Sequence, residues 1–231
     1  MIAVEIDKKK LAGFVSLKSG NTRPNEDGKA CVMEAVAYVA GEPWSDHPAC
    51  TCPIITAFMV SWNDALPTDA DRSRLLLPLI PHLVGTRGGK ALETRRATMA
   101  ADWMVRVYTP AWLRLAGLAG QADLLTSLPE ITAFAETPSL MPVLLAVRDA
   151  ASAAESAARS AARSAAMSAA ESAAESAARS AAWSAARSAA ESAARSAARS
   201  AAWSALSGTI SELQDSAVNL VIRMCAEKDA S

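Results

Sequence analysis

Ser152-Ala-Ala-Glu155-Ser-Ala-Ala-Arg159-Ser-Ala-Ala-Arg163-Ser-Ala-Ala-Met167 opens a run in which one word, Ser-Ala-Ala-X, repeats without a break to Trp203, and X is only Glu, Arg, Met or Trp. Ala is the best helix former, with Arg and Glu close behind, and neither Gly nor Pro interrupts from Val143 to Ser207. The pattern predicts one continuous helix, far beyond the ~12–15 residues at which isolated helices become marginal. Glu155–Arg159, Glu175–Arg179 and Glu191–Arg195 add i,i+4 pairs in the better orientation, each contributing about 0.2–0.5 kcal/mol. Arg159–Arg163, Glu171–Glu175 and Arg195–Arg199 are like-charge neighbours and return part of it. Straight from Val143 to Ser207, such a helix reaches roughly 95–100 Å.

A period of four overshoots each 3.6-residue turn by about 40°, so the X positions circle the helix once in roughly 36 residues. Glu155 then realigns with Glu191, Arg159 with Arg195, Arg163 with Arg199 and Met167 with Trp203. Keeping the Ala face on one partner would demand right-handed supercoiling with a pitch near ~54 Å, against ~140–210 Å for ordinary two-stranded coils. A simple dimer along the whole length is therefore strained. Either the helix stands as a solvated arm, or it meets different neighbours on successive faces. Trp183 and Trp203 lie roughly 200° apart around the axis. Large aromatics are favoured at contact hot spots, and these two with Met167 are the expected partner contacts.

A segment of Ala, Ser and small charged words builds no pocket, so the function class it supports is assembly, spacing or presentation. Slippage of a short DNA repeat would also produce such a run as a passive helix. Ice binding through an Ala-rich helix is a further alternative, opposed by a Ser stripe that rotates instead of staying on one face. Nucleic acid is disfavoured as a partner: the repeat sets four Glu against six Arg and the chain is net −1, whereas phosphate binding rests on a basic excess.

The chain has 231 residues, about half of them hydrophobic (51%), but Ala inflates that share and leaves room for one packed domain. The start, Met1-Ile-Ala-Val-Glu-Ile-Asp-Lys-Lys-Lys10, has no apolar core of signal-peptide length, and no stretch approaches the ~20 apolar residues of a membrane span. The expectation is a cytoplasmic protein without membrane contact, its four cysteines serving as thiols or metal ligands and not as a disulfide framework.

Up to about Glu136 the pattern is helical. Short strands are expected around Ile2–Ile6 and Gly13–Leu17, and Ser19 to Gly28 reads as a loop by its turn residues. Helices are expected from Ala30 to Ala40, stopped by Gly41, and from Ser45-Asp46-His47-Pro48 to about Asn63. A third opens at Pro67-Thr68-Asp69 and ends near Pro78 and Pro81. Others follow from Leu92 to Thr109 with Met99, Trp103 and Val107 on one stripe, from Pro110 to Gly117, and from Ala122 to Leu128. Trp44, Trp62, Trp103 and Trp112 read as core or capping aromatics.

Chemistry, if the chain carries any, is expected in the same block. Cys31, Glu34, His47, Cys50 and Cys52 are ligand types that zinc accepts, and Cys31 and Glu34 share a helix face at i,i+3. Against this, His47-x-x-Cys50-x-Cys52 behind a distant Cys31 is not a standard finger or ribbon spacing, buried Cys is often a small hydrophobe, and His47 beside Asp46 reads as part of a cap. Gly85-Thr-Arg-Gly-Gly89 lacks the lysine placement of a phosphate loop.

The blocks Gly28-Lys-Ala-Cys31-Val-Met-Glu34-Ala-Val-Ala-Tyr-Val-Ala-Gly-Glu-Pro-Trp44-Ser-Asp-His47-Pro-Ala-Cys50-Thr-Cys52-Pro, Ser61-Trp-Asn-Asp64, Leu83-Val-Gly-Thr-Arg87 and Thr109-Pro-Ala-Trp-Leu113 resemble a group of uncharacterised actinobacterial and phage-associated proteins with Ala-rich repeat tails. The resemblance covers roughly residues 15–130. It implies a bacterial or phage setting and transfers no active residues.

After the repeat, Gly208 breaks the Ala run and Thr209-x-x-Glu212 has capping-box spacing. Ile210, Leu213, Ala217, Leu220 or Val221, and Met224 then recur at three- and four-residue steps, an amphipathic stripe that must be buried on the N-terminal domain or on a second copy. Cys225 beside that stripe reads as packed. The sequence thus predicts a mainly α protein with a helical domain over 1–137, a repeat helix over 138–207 and an amphipathic helix over 208–231. Its expected function is non-enzymatic assembly, as a homo-oligomer through the repeat or as a rigid spacer. The alternative is a metal-dependent or thiol enzyme centred on Cys31, His47 and Cys50.

Overall fold

The computed structural model describes residues 6–14, 16–20, 29–136, 138–154, 156 and 206–229. Its fold is mainly α. The helices are α1 (Lys8–Ala12), α2 (Val32–Val39), α3 (Pro53–Ala65), α4 (Asp69–Leu76), α5 (Ile80–Leu83), α6 (Lys90–Trp103), α7 (Thr109–Leu115), α8 (Ala119–Thr126), α9 (138–154) and α10 (206–226). Two short parallel strands, β1 (Ser16–Leu17) and β2 (Lys29–Ala30), pair Ser16 with Lys29 and Leu17 with Ala30. β1 lies in the expected strand segment Gly13–Leu17. The other expected strand lies outside the described residues except at Ile6, which is not in a strand.

The chain forms two compact units. The first takes the described parts of Met1–Trp103, Glu130–Phe134 and Gln214–Ser231, and the second those of Met104–Pro129 and Ala135–Leu213. Of the expected amphipathic segment 208–231, the part from Gln214 onward belongs to the first unit.

α2 is the hub of that first unit. Its sequence, Val-Met-Glu-Ala-Val-Ala-Tyr-Val, offers almost no polar side, and every residue but Tyr38 is buried. A helix apolar all round must be enclosed, and α1, α3, α5 and β2 pack against it. Gly41, with φ +73°, ends it as expected, in a left-handed conformation that side chains disfavour.

Buried polar side chains stitch the elements together by answering the orphan backbone groups at helix ends. The Asn63 side chain, 1% exposed, accepts from Val32 N at 3.2 Å at the start of α2 and donates to Lys18 O at 2.9 Å. Arg72 donates through Nε to Asn63 O at 2.6 Å, through Nη2 to Leu66 O, and through Nη1 to Asp69 at 2.6 Å, closing the C-terminal end of α3. Arg96 does the same for α10: Nε donates to Met224 O at 2.8 Å and Nη2 to Glu227 O at 3.0 Å, while Nη1 reaches Thr86 O at 2.5 Å. A cation at the negative end of a helix is favoured there.

Three expected boundaries shift. The second long helix starts at Pro53, not at Ser45: Ser45 Oγ accepts from His47 N, and the Glu42 carboxylate holds Ala49 N and Cys50 N at 2.6 and 2.7 Å, locking 45–52 into loop geometry. In the segment expected as a single helix from Leu92 to Thr109, α6 ends at Trp103 and a π-helical turn covers Met104–Tyr108. Its buried face is Leu92, Arg96, Thr98 and Trp103, and Val107 is exposed. Finally, α10 is already helical at 206 and runs through Gly208, so Thr209 is not its N-cap. The expected stripe on it is buried at Leu213, Ala217, Leu220, Val221, Met224 and Cys225.

In the second unit, Leu113, Ala122, Leu125 and Val147 form a core, flanked by Val105, Leu118, Leu128, Val143, Leu144 and Ala151. α9 thus meets α7 and α8 through a stripe at Val143, Val147 and Ala151, one helical face by its i,i+4 spacing. Within the opening π turn, Thr109 Oγ1 donates to Met104 O at 2.8 Å. No helix among the described residues is long and apolar enough to cross a membrane.

Candidate functional site

Cys31 sits at the N-cap of α2, where a small polarisable side chain can accept a backbone hydrogen bond. Its Sγ accepts from Glu34 N at 3.4 Å, and the Glu34 carboxylate accepts from Cys31 N at 2.8 Å, a reciprocal capping box buried on both sides. The i,i+3 relation that put Cys31 and Glu34 on one face is therefore used to start the helix.

Cys50 and Cys52 belong to a seam between the 49–52 loop and the turn after α5. Cys52 N donates to Thr86 Oγ1 at 3.1 Å, Thr86 Oγ1 donates to Leu83 O at 2.8 Å, and Arg87 N donates to Cys50 O at 2.9 Å. His47 faces outward with its side chain 70% exposed, Nδ1 lying 2.7 Å from Asp46 Oδ1. The expected zinc set of Cys31, His47, Cys50 and Cys52 is not assembled. Among the described residues no group of three or more His, Cys, Asp or Glu stands where it could hold a metal ion. Cys31 Sγ caps α2, Cys50 and Cys52 lend backbone groups to the loop seam, and His47 is on the surface.

Burial pushes the Cys31 thiol up from 9.0 to about 12, with the neighbouring Glu34 charge adding to the rise. Burial does the same for Cys225, to about 12, and raises Cys50. The thiolate is the nucleophile, so these positions are the reverse of an activated cysteine. Iodoacetamide at pH 8 should leave Cys31 and Cys225 unmodified in the native protein and label both once guanidinium unfolds it, as peptide mass spectrometry would record. Stoichiometric native labelling within minutes would contradict the burial argument. The sign for stability follows: the preference of the fold for the two protonated thiols is fully present below about pH 9 and is lost as the pH rises through about 12.

Two cavities were not legible in the sequence. One, of about 330 Å³, is lined by Lys9, Lys10, Gly13, Phe14, Lys29, Tyr38 and Trp44, all in the first unit. The Lys8-Lys9-Lys10 run was its only sequence trace, since the aromatics arrive from separate elements. The other, of about 480 Å³, lies in the second unit and is lined by Thr109, Trp112, Leu113, Ala116, Leu118, Ala151 and Ala154. Trp112 Nε1 is buried there without a hydrogen-bond partner among the described residues.

The remaining tryptophans with described surroundings are structural, as expected. Trp103 donates through Nε1 to Ser216 Oγ at 2.8 Å and stacks edge to face on Phe58, which also meets Trp62. The expected partner contacts Met167, Trp183 and Trp203 lie outside the described residues. No family model, no curated protein and no solved structure matches this chain.

Proposed function

We propose that this chain is a non-enzymatic assembly protein that self-associates through the unit carrying the Ser-Ala-Ala-X repeat. The observation that carries the reading is where large apolar side chains remain exposed. Of the eight such residues among those described, Met104, Val107, Leu115, Leu124, Met141 and Leu145 belong to the repeat-bearing unit. Contiguous exposed apolar surface marks interaction sites, and these six are the side chains from which such a surface on this unit would be built. The flanks support the same reading: α9 is helical through the first repeat word at Ser152-Ala153-Ala154, and α10 is helical from 206. A helix spanning the interval would present Met167 and Trp203 on one side and Trp183 on nearly the opposite one, so neighbouring copies would surround it and not merely pair with one face.

A peptide spanning Ser152 to Ser204 tests this by circular dichroism near 4 °C. A peptide already largely helical when dilute is expected, from intrinsic propensity and charge pairing, with helicity rising further with concentration where copies associate. Full helicity independent of concentration would instead make the repeat a solitary spacer. Coil at every concentration would overturn both.

A further inference from the structure

From Gln214 onward α10 lies in a groove of the first unit that fits it closely. Ala217, Leu220, Val221, Met224 and Cys225 are buried, and Trp103 Nε1 donates to Ser216 Oγ at 2.8 Å. The Arg96 guanidinium takes the carbonyls of Met224 and Glu227, and beyond the helix end Arg95 donates to Lys228 O and Gly89 N to the Asp229 carboxylate. These contacts select a helix of this sequence and do not depend on which copy supplies it. The connecting chain restricts the supplier. α9 opens at 138, four residues after Phe134 of the first unit, and a helix running on unbroken to 206 rises roughly 100 Å. A unit of this size has a radius of gyration of about 14 Å, so such a helix carries α10 beyond the first unit of its own chain. Return needs a reversal, yet residues 150–207 hold no Gly, Pro, Asn or Asp, and the Ser of each word favours no one position.

We propose that α10 docks on the first unit of a second copy, so that copies exchange their C-terminal helices. Exchange of an identical element keeps every contact of the groove and leaves the repeat helix unbent. Two effects oppose each other. The chain's own α10 has the higher effective concentration, whereas docking it within the same chain breaks a helix whose Ala, Glu and Arg are among the best helix formers. Contacts between the arms of neighbouring copies tip the balance to exchange, and in that respect the proposal rests on the assembly reading. It adds to that reading a second interface, an apolar stripe in its groove on the first unit.

Isotope mixing tests it on the full chain. Unlabelled and heavy-nitrogen protein, unfolded together in equal amounts and refolded, are coupled with an amine-reactive bifunctional reagent, digested and read by mass spectrometry. Lys90 and Lys228 are both exposed and flank the bonded pair Gly89 and Asp229, so they lie within reach of the reagent. The expected result is that about half of the linked Lys90–Lys228 peptides join one light and one heavy partner, as random exchange requires. Peptides of a single isotope only, from protein that sediments as a multiple of the chain mass, would overturn exchange and leave assembly through the repeat standing. The same peptides from protein at the mass of one chain would overturn both. Trp183→Arg with Trp203→Arg should lower the mixed share at least about tenfold, because separated arms return the advantage to the chain's own α10. An undiminished share would overturn the dependence on the repeat.

Discussion

Replacing Arg96 with methionine should lower the unfolding free energy by about 3–5 kcal/mol, although methionine keeps most of the aliphatic stem. The guanidinium is 1% exposed and divides its donors among the carbonyls of Thr86, Met224 and Glu227. Removing it leaves three acceptors, in or beside the core, that water reaches poorly, and each unsatisfied group costs about 1–3 kcal/mol. Arg96→Lys should recover only part of the loss, because a point charge cannot reproduce the planar fork. The same site fastens the chain end: Arg95 bonds Lys228 O and pairs with Glu227 at 3.4 Å, and Gly89 N donates to Asp229. Urea denaturation measures the stability change, and limited proteolysis should show residues 224–229 cleaved first in the methionine variant. A loss under about 1 kcal/mol would mean that the apolar stripe of α10 alone holds it in place.

Much of the helical pattern was legible because it depends on local chemistry. Thr68 caps α4, its Oγ1 accepting from Asp71 N at 3.1 Å, Gly41 ends α2, and the stripe on α10 is buried as its spacing requires. What sequence patterns missed is the burial of charge. Arg72 and Arg96 look like solvated helix positions until the fold brings carbonyls from the ends of α3 and α10 to them. The start of α3 was missed for a related reason: Glu42, seven and eight residues upstream, takes the amides of Ala49 and Cys50 and holds the intervening chain out of helix. Gly208 misled in the other direction, since a single glycine costs a helix only about 1 kcal/mol against Ala and need not end it. As for the site, ligand residue types were visible at Cys31, His47, Cys50 and Cys52, yet their arrangement depends on tertiary contacts that spacing does not encode. The aromatic and lysine pocket is assembled from residues 9 to 44 across α1, β2 and α2, and left only the lysine run as a trace.

The second large effect is expected at Trp183 and Trp203. Arg has equal or better helix propensity, so the double substitution W183R/W203R should leave intrinsic helicity intact while removing roughly 150–250 Å² of aromatic contact surface per site. It also adds two positive charges to a repeat that already holds six Arg against four Glu, so neighbouring helices would repel. On a continuous helix the two residues would lie roughly 200° apart, so neither could substitute for the other against a single neighbour, and association through the repeat should be lost when both change. Sedimentation equilibrium of the full chain at micromolar concentration, wild type beside W183R/W203R, reads this most directly. Self-association through the repeat predicts an integral multiple of the chain mass for the wild type and the mass of one chain for a variant that still melts cooperatively; a wild type at the mass of one chain, or the same multiple for both proteins, would contradict it.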